Sequence, residues 1–252
     1  SMLATVTALA LLQTNSVAAL EKAVDDYMAQ SGVVGASLVV SKNGKLVYQA
    51  GFGFIDRSKK SPARPDTVFL IGSVTKQFVA TAVQELANKG KLSLTDSVRK
   101  YIPELEEKYD DVTLAHLLQH TSGMPAYTDS PRFMASKSAC TLADVLATVK
   151  SLPRKAALGA RWGYCNTGYY LLGVVVERVS GKHWNDYLAA GLWRQAGLKH
   201  TFRYDLKPRP EESWNFTLGK GTPLLSRPNP ANAEGAGACA SSGPDLAKWV
   251  AY

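Results

Sequence analysis

Ser73 and Lys76 lie three positions apart in the stretch FLIGSVTKQFVA. Serine is a weak nucleophile until a base takes its proton, and a neutral lysine is one such base. Residues three apart share one face of a helix, so Lys76 can reach back to the Ser73 hydroxyl. A Ser-x-x-Lys match is nevertheless expected about once in a chain of this size, and Ser97 and Lys100 form a second one. The spacing alone leaves open both a catalytic pair and an accident of composition.

The surroundings of Ser73 favour the catalytic interpretation. Gly72 and the apolar run before it predict that Ser73 stands at the N-terminus of a helix. There its free backbone N–H can donate to an oxyanion, and the positive end of the helix dipole favours neutral Lys76 over the ammonium. Ser97 instead follows an ordinary capping run and leads to Pro103 within about two turns. The Ser97 pair is therefore a poor candidate.

The elements that must position Ser73 include both strands and helices. Residues 36–53 contain two β-rich runs joined by Asn43-Gly44, which predicts a hairpin with a type I′ turn. Region 92–200 is predicted to be mainly helical, 203–235 to be an irregular proline-rich loop, and Ser242 to cap a last helix. Two strands are marginal alone. We therefore expect an α+β fold whose antiparallel sheet is incomplete in this chain, truncated at its C-terminus.

Composition excludes several classes of protein. The 252 residues are 46% hydrophobic and 20% charged, which is typical of a globular domain rather than a disordered or fibrous chain. The net charge is +8, but the basic residues are scattered, so no nucleic-acid partner is predicted. Peripheral association with an anionic cell envelope stays open. The three cysteines, with no C-x-x-C spacing, indicate neither a disulfide framework nor a zinc knuckle.

The N-terminus has two interpretations. Residues 1–18 contain the apolar stretch 3–12 and a small-residue site at Ser16-Val-Ala18, which is typical of a signal-peptide remnant, although no basic segment precedes it. The alternative is the start of a helix that continues over 19–30. The first interpretation is favoured and predicts an exported protein, periplasmic or extracellular. No apolar run is long enough to span a membrane.

The histidines raise a metal alternative. His116 and His120 are four apart on a predicted helix, a spacing that suits zinc. No glutamate follows His116 as in H-E-x-x-H, and no third ligand is evident. We therefore predict no metal and no cofactor, with His116 packing or capping a helix. His183 and His200 are predicted at the surface.

Three stretches carry a resemblance to a known family: GSVTKQFVATAVQELANKGKLSLTDSVRKYIPE, TLAHLLQHTSGMP and GYCNTGYYLLGVVVERVSGK. In this order they resemble the penicillin-recognising serine hydrolases, in the class C β-lactamase-like branch that includes D,D-carboxypeptidases, D-aminopeptidases and esterases. The resemblance runs from about Leu20 to the end of the chain. It implies a β-lactamase/transpeptidase-like domain over 19–252, with an antiparallel sheet flanked by helices and a mainly helical subdomain.

The resemblance also implies roles for individual residues. Ser73 would be the acylated nucleophile and Lys76 its partner. The family's second motif, Tyr-x-Asn, matches Tyr164-Cys165-Asn166, with cysteine at a position that is more often serine. Tyr164 would relay a proton, and Asn166 would bind the substrate's acyl amide and accept from Lys76. Without the resemblance, Tyr164 would be interpreted as an aromatic packing residue.

The family's third motif, Lys/His-x-Gly, is missing at its expected place. Lys42-Asn43-Gly44 has the letters but lies in the predicted hairpin turn. In relatives the motif follows the segment matching GAGACASSGPDLAKWV, where this chain ends, and it would carry the second oxyanion donor. The resemblance also implies that His120-Thr-Ser-Gly123 shapes a turn near the pocket.

The predicted function is hydrolysis through an acyl-enzyme on Ser73. The substrate would be a small molecule or a peptidoglycan-derived compound: a β-lactam, a D-Ala-D-Ala-type peptide or a small ester. The alternatives are a non-catalytic relative that binds peptidoglycan fragments or a protein partner, and an inactive fragment. The sequence makes no prediction of oligomeric state.

Overall fold

The chain begins with a long helix. The computed structural model describes residues 2–55, 60–131, 133, 140–204 and 230–252. Helix α1 (Met2–Ser31) runs unbroken through residue 18. This agrees with the helix-start interpretation of residues 1–18, while removal of an export signal stays a prediction. No helix within those ranges is long and apolar enough to cross a membrane.

A hairpin follows α1 and confirms the prediction for 36–53. Strands β1 (Gly35–Lys42) and β2 (Lys45–Gly53) pair antiparallel. Asn43 and Gly44 have φ angles of 52° and 72°, and two consecutive positive φ angles define the type I′ turn, which matches the twist of the flanking strands. The letters of the third motif at Lys42 to Gly44 therefore lie in a hairpin turn, as predicted.

A second sheet joins three segments that are far apart in the sequence. Its strand order is β3 (Val68–Leu70), β5 (Cys239–Ser242), β4 (Phe202–Arg203), with both pairings antiparallel. The central strand β5 is buried along its whole length. Because β3 leads directly to Ser73 and β5 directly follows residues 230–238, the sheet sets these two segments side by side.

The irregular loop predicted over 203–235 overlaps short regular elements at both of its ends. Arg203 belongs to β4, where it pairs with Cys239, and Pro230–Ala236 forms a 3-10 segment. Prolines disfavour regular structure locally, but tertiary contacts routinely override local propensity. Residues 205–229 lie outside the described residues.

Helices form the rest of the described core. The helix predicted to begin at Ser73 is confirmed as α2 (Thr75–Asn88), which buries an apolar stripe formed by Phe78, Val79, Ala82, Val83 and Leu86. Region 92–200, predicted to be mainly helical, contains short helices separated by turns. The further helices are α3 (Leu114–Leu118), α4 (Leu142–Ser151), α5 (Asn166–Ser180), α6 (Trp184–Ala190), α7 (Leu192–Gln195) and α8 (Gly243–Ala251), and 3-10 turns lie at Gly72–Val74, Val98–Lys100, Glu107–Tyr109 and Tyr127–Asp129.

Aromatic contacts fix α2 against later parts of the chain. The fully buried ring of Phe78 meets Trp193 of α7 at 5.3 Å and Trp249 of α8 at 4.8 Å, both edge-on. Such pairs add to the free energy gained from burying apolar area. The helix that begins beside Ser73 is thereby held by residues more than 100 positions away.

The second Ser-x-x-Lys pair is a structural cap. The Ser97 hydroxyl accepts a hydrogen bond from the Arg99 N–H at 3.2 Å, and Lys100 forms an ion pair with Asp96 at 3.0 Å. This is the arrangement expected of a capping serine and a solvated lysine. Ser242 likewise caps α8, as predicted.

Candidate active site

Ser73 lies in the 3-10 turn between β3 and α2. Gly72 has a φ of 50°, a conformation open to glycine, and it turns the chain from the strand into the helix. The Ser73 side chain is exposed, and in the described part of the chain its backbone N–H donates no hydrogen bond. A free N–H at a helix N-terminus is suited to hold a developing oxyanion.

Thr75 fixes this turn to the sheet. Its hydroxyl donates to the Gly72 carbonyl at 2.7 Å and accepts from the Cys239 N–H at 3.0 Å. Thr75 is completely buried, so both bonds are shielded from water and hold the turn firmly. The position of Ser73 is therefore set by contact with β5, not by α2 alone.

Lys76 is buried beside Ser73 and makes three polar contacts. Its Nζ lies 3.2 Å from Ser73 Oγ, 2.8 Å from Asn166 Oδ1 and 2.6 Å from the carbonyl oxygen of Ala236. Burial lowers the pKa of Lys76 below its usual value, which favours the neutral amine. A neutral amine has two hydrogens and one lone pair. Because Asn166 Oδ1 and the Ala236 carbonyl can only accept, they take both hydrogens and leave the lone pair facing Ser73.

Tyr164 also contacts Ser73. Its hydroxyl is 2.5 Å from Ser73 Oγ, and Lys76 Nζ lies 4.6 Å from the centre of its ring. The Tyr164 side chain is 46% exposed, and its ring is 6.5 Å from that of Trp162. It is therefore no core packing residue. A phenol in hydrogen-bond contact with the serine and open to solvent can reach a leaving group.

Asn166 is held by partners at both ends of its amide. It is the first residue of α5, where Oδ1 accepts from Lys76 as the sequence led us to expect. Its Nδ2 donates to the hydroxyl of Thr128 at 3.0 Å, which uses one of the two amide hydrogens. Thr128 could not be predicted from the sequence, because nothing in its surroundings distinguishes it from other threonines.

His120 braces the segment that carries Tyr164. Its backbone carbonyl accepts from the Gly163 N–H at 2.8 Å, and its Nδ1 accepts from the Cys165 N–H at 3.1 Å. Its ring lies 4.7 Å from the Tyr164 ring. Burial, followed by the nearby Lys76, lowers the pKa of His120, so the ring stays neutral with its proton on Nε2. The predicted turn at this position is confirmed by a φ of 58°.

His116 has a different role. Its ring and the Thr113 hydroxyl form a capping box at the start of α3, so the capping prediction is confirmed. In the described ranges, no three His, Cys, Asp or Glu side chains are grouped closely enough to hold a metal ion. Cys165 is buried, and burial raises the pKa of its thiol, which disfavours a reactive thiolate.

The fold and the site together define a class of protein. An exposed serine at a helix N-terminus, shared by a buried lysine and a tyrosine and set beside an antiparallel sheet, is the arrangement that the sequence resemblance implied. The chain belongs to the beta-lactamase family, whose family model, described as Beta-lactamase, matches residues 20–252. Its fold is β-lactamase-like, as predicted, and the family is one of serine hydrolases.

Individual relatives agree with this placement. The protein is 28% identical to Protein flp of Staphylococcus aureus strain N315 over 222 residues, which cover 86% of this chain and 44% of flp. The octameric penicillin-binding protein homologue from Pyrococcus abyssi matches with a TM-score of 0.79 at 28% identity, over 93% of this chain and 55% of that one. The D-amino acid amidase from Ochrobactrum anthropi SV3 also matches with a TM-score of 0.79, at 26% identity, over 89% and 65%. The chain thus spans about half the length of the curated relative.

Proposed function

We propose that this protein is a serine hydrolase that works through an acyl-enzyme on Ser73. The observation that carries the proposal is that Ser73 Oγ lies 3.2 Å from Lys76 Nζ and 2.5 Å from the Tyr164 hydroxyl. A nucleophile, a base and a proton relay within hydrogen-bond reach of one another are the required geometry.

The proposed chemistry has two stages. In acylation, neutral Lys76 takes the Ser73 proton as Oγ bonds to the substrate's carbonyl carbon, and the Ser73 N–H donates to the oxyanion. As the bond to the leaving group breaks, Tyr164 gives its hydroxyl proton to that group, and the Lys76 ammonium replaces it. In deacylation, water bonds to the ester carbonyl carbon while neutral Lys76 takes a proton from it. The bond from that carbon to Ser73 Oγ then breaks, the Lys76 ammonium returns the proton to Oγ, and the acid product leaves. Asn166 would orient the substrate through the amide hydrogen that Thr128 does not use.

The proposed substrate is a small acyl compound: a β-lactam, a D-Ala-D-Ala-type peptide or a small ester. Support comes from the O. anthropi neighbour, which is named a D-amino acid amidase. An exported location, supported by the apolar stretch 3–12, is part of the same proposal.

Covalent labelling tests the proposal. The folded chain is incubated with a fluorescent penicillin or a fluorophosphonate, and the adduct is located by intact mass and peptide mapping. We expect one adduct, on Ser73, which Ser73→Ala abolishes and the matched control Ser97→Ala leaves intact. A folded chain without an adduct, or an adduct that survives Ser73→Ala, would overturn the proposal. Turnover of an activated ester but not of a chromogenic cephalosporin would assign the esterase branch.

A further inference from the structure

A partly buried charge cluster lies next to the turn that contacts Lys76, and it takes no part in the proposed chemistry. The Glu234 carboxylate accepts two hydrogen bonds from the Arg203 guanidinium, one of them at 2.9 Å, and one from Trp184 Nε1 at 2.9 Å. His183, predicted at the surface, is partly exposed, and its Nε2 lies 3.6 Å from the Glu234 carboxylate. Burial alone would raise the pKa of Glu234, but the nearby His183 ring and the hydrogen bonds from Arg203 and Trp184 lower it to about 2. The carboxylate is therefore ionised.

Glu234 also has a strained backbone. Its φ and ψ are 42° and −132°, a combination open to glycine and unfavourable for a residue with a Cβ. Its carbonyl accepts from the Gly237 N–H at 3.0 Å and from the Ala238 N–H at 2.9 Å, which closes a tight turn over 234–238. Such a conformation persists only where surrounding contacts impose it. The bonds to the Glu234 carboxylate are contacts of that kind.

The turn presents one atom to the active site. Ala236, at its centre, is buried, and its carbonyl accepts from Lys76 Nζ at 2.6 Å. The neighbouring Gly235 is pressed against α5, since a Cβ there would lie 2.8 Å from the Tyr169 carbonyl oxygen. The direction of the Ala236 carbonyl is thus set by the turn, and the turn is anchored through the side chain of Glu234.

We propose that Glu234 is a positioning residue for Lys76. Held by Arg203 and Trp184, it keeps the 234–238 turn in the conformation that aims the Ala236 carbonyl at Lys76 Nζ. That carbonyl and Asn166 Oδ1 hold the two hydrogens of the neutral amine and leave its lone pair directed at Ser73. This inference rests on the proposed role of Lys76 as the base.

A purely structural ion pair is the competing explanation. A buried carboxylate–guanidinium pair is weak evidence for stability, because desolvation offsets much of its attraction. A structural pair would affect unfolding and leave the geometry around Lys76 unchanged in the molecules that fold. A positioning residue affects the chemical step, since misplacing a reacting group by about 1 Å can cost about 100-fold in rate.

The test uses Glu234→Gln, which keeps the size and removes the charge, and the milder Trp184→Phe, which removes one donor. Glu104→Gln is the matched control, because Glu104 also forms a bidentate pair, with Arg178, at the surface. Crystal structures give the distance from Lys76 Nζ to the Ala236 carbonyl. The concentration dependence of fluorophosphonate labelling separates probe binding from the rate of acylation.

We expect Glu234→Gln to lengthen that distance beyond 3.5 Å and to slow acylation about 10- to 100-fold without weakening probe binding. Trp184→Phe should give a smaller change of the same kind, and Glu104→Gln none. An unchanged distance and rate in a folded Glu234→Gln or Trp184→Phe variant would overturn the inference. If the unsubstituted chain is not labelled, the proposed function fails, while the distance in the variants still decides whether Glu234 positions Lys76.

Discussion

At the residue scale, the proposed chemistry depends on which atoms accept the two hydrogens of the neutral Lys76 amine. Ser73 Oγ can either accept from the lysine or donate to it, whereas Asn166 Oδ1 and the Ala236 carbonyl can only accept. The two obligate acceptors therefore decide which way the lone pair of the neutral amine points. Since an ammonium has no lone pair, the same contacts cannot make a base of the protonated form.

This predicts a pH dependence for acylation. Burial lowers the pKa of Lys76 below the ordinary lysine value of 10.5. Below the lowered pKa the lysine is protonated and inactive, so the rate should rise as pH increases through it and level off at a pH lower than an ordinary lysine would allow. The check is the pH profile of Ser73 labelling, corrected for hydrolysis of the probe.

Lys76→Arg provides the comparison, because a guanidinium keeps its proton throughout this range. We expect the variant to lose the rising limb and to be labelled about 100-fold or more slowly at the plateau pH of the unsubstituted chain. The same profile in both proteins would exclude Lys76 as the base.

The residues of the site divide into those that the sequence could predict and those that it could not. Ser73, Lys76, Tyr164 and Asn166 were predicted together, and the structure brings their polar atoms into contact. The Ala236 carbonyl lies 160 positions from Lys76. The sequence could not predict this contact, because every residue has a backbone carbonyl and only the tertiary structure determines where that carbonyl points.

At the element scale, the segment after α3 decides where Tyr164 lies. His120 follows this short helix with a φ of 58°, and its two hydrogen bonds to the 163–165 segment hold Tyr164 from both sides. His116, four residues earlier, caps the N-terminus of α3. The two histidines thus offer a matched pair, one supporting the site and one supporting the helix.

We expect His120→Ala to slow Ser73 labelling about 10- to 100-fold, because it removes the acceptor for the Cys165 N–H and loosens Tyr164. His120→Asn should retain more of the rate, since asparagine tolerates a positive φ and its side-chain oxygen can accept. His116→Ala should lower the free energy of unfolding by about 1 kcal/mol and leave labelling unchanged. Labelling kinetics and urea unfolding check both. If His120→Ala, His120→Asn and His116→Ala were all labelled at the same rate, the proposed role of His120 would be contradicted.

Elements with a local sequence signal were predicted well. The hairpin at Asn43-Gly44 and the helix after Ser73 have a turn signature and a helical apolar stripe, which act over a few residues. Strand β4, with two residues, and the 3-10 segment before β5 have no such signal. Strand β4 forms because it pairs with β5, and the 3-10 segment forms because it packs against α5. In both cases the partner lies far away in the sequence.

At the scale of the whole molecule, the site depends on contacts between residues that are far apart in the sequence. Residues near position 70 carry the proposed nucleophile and base, those near 165 carry the proposed relay, and the carbonyl of residue 236 accepts from the proposed base. Strand β5 ties the first and last of these segments together. Loss of contacts between these distant segments should therefore lower the free energy of unfolding of the whole described fold.

Asp245 offers a test of this coupling. It is fully buried in the first turn of α8, and its carboxylate accepts from the Lys199 N–H at 2.8 Å and from the His200 N–H at 2.6 Å. The Thr201 hydroxyl and Lys248 Nζ also donate to it, at 3.0 Å and 3.2 Å. One side chain thus joins the last helix to the segment that enters β4.

We expect Asp245→Asn to lower the free energy of unfolding in urea by about 3 kcal/mol. The asparagine NH2 group would face N–H and O–H groups that now donate to the Asp245 carboxylate, so buried donors would lose their acceptor. Glu104→Gln, which removes an exposed ion pair, should cost less than about 1 kcal/mol. A loss as small as that in Asp245→Asn would show that α8 and β4 are held independently. Since Asp245 makes no contact with Ser73 or Lys76 in the described structure, the fraction that remains folded should still be labelled at the normal rate.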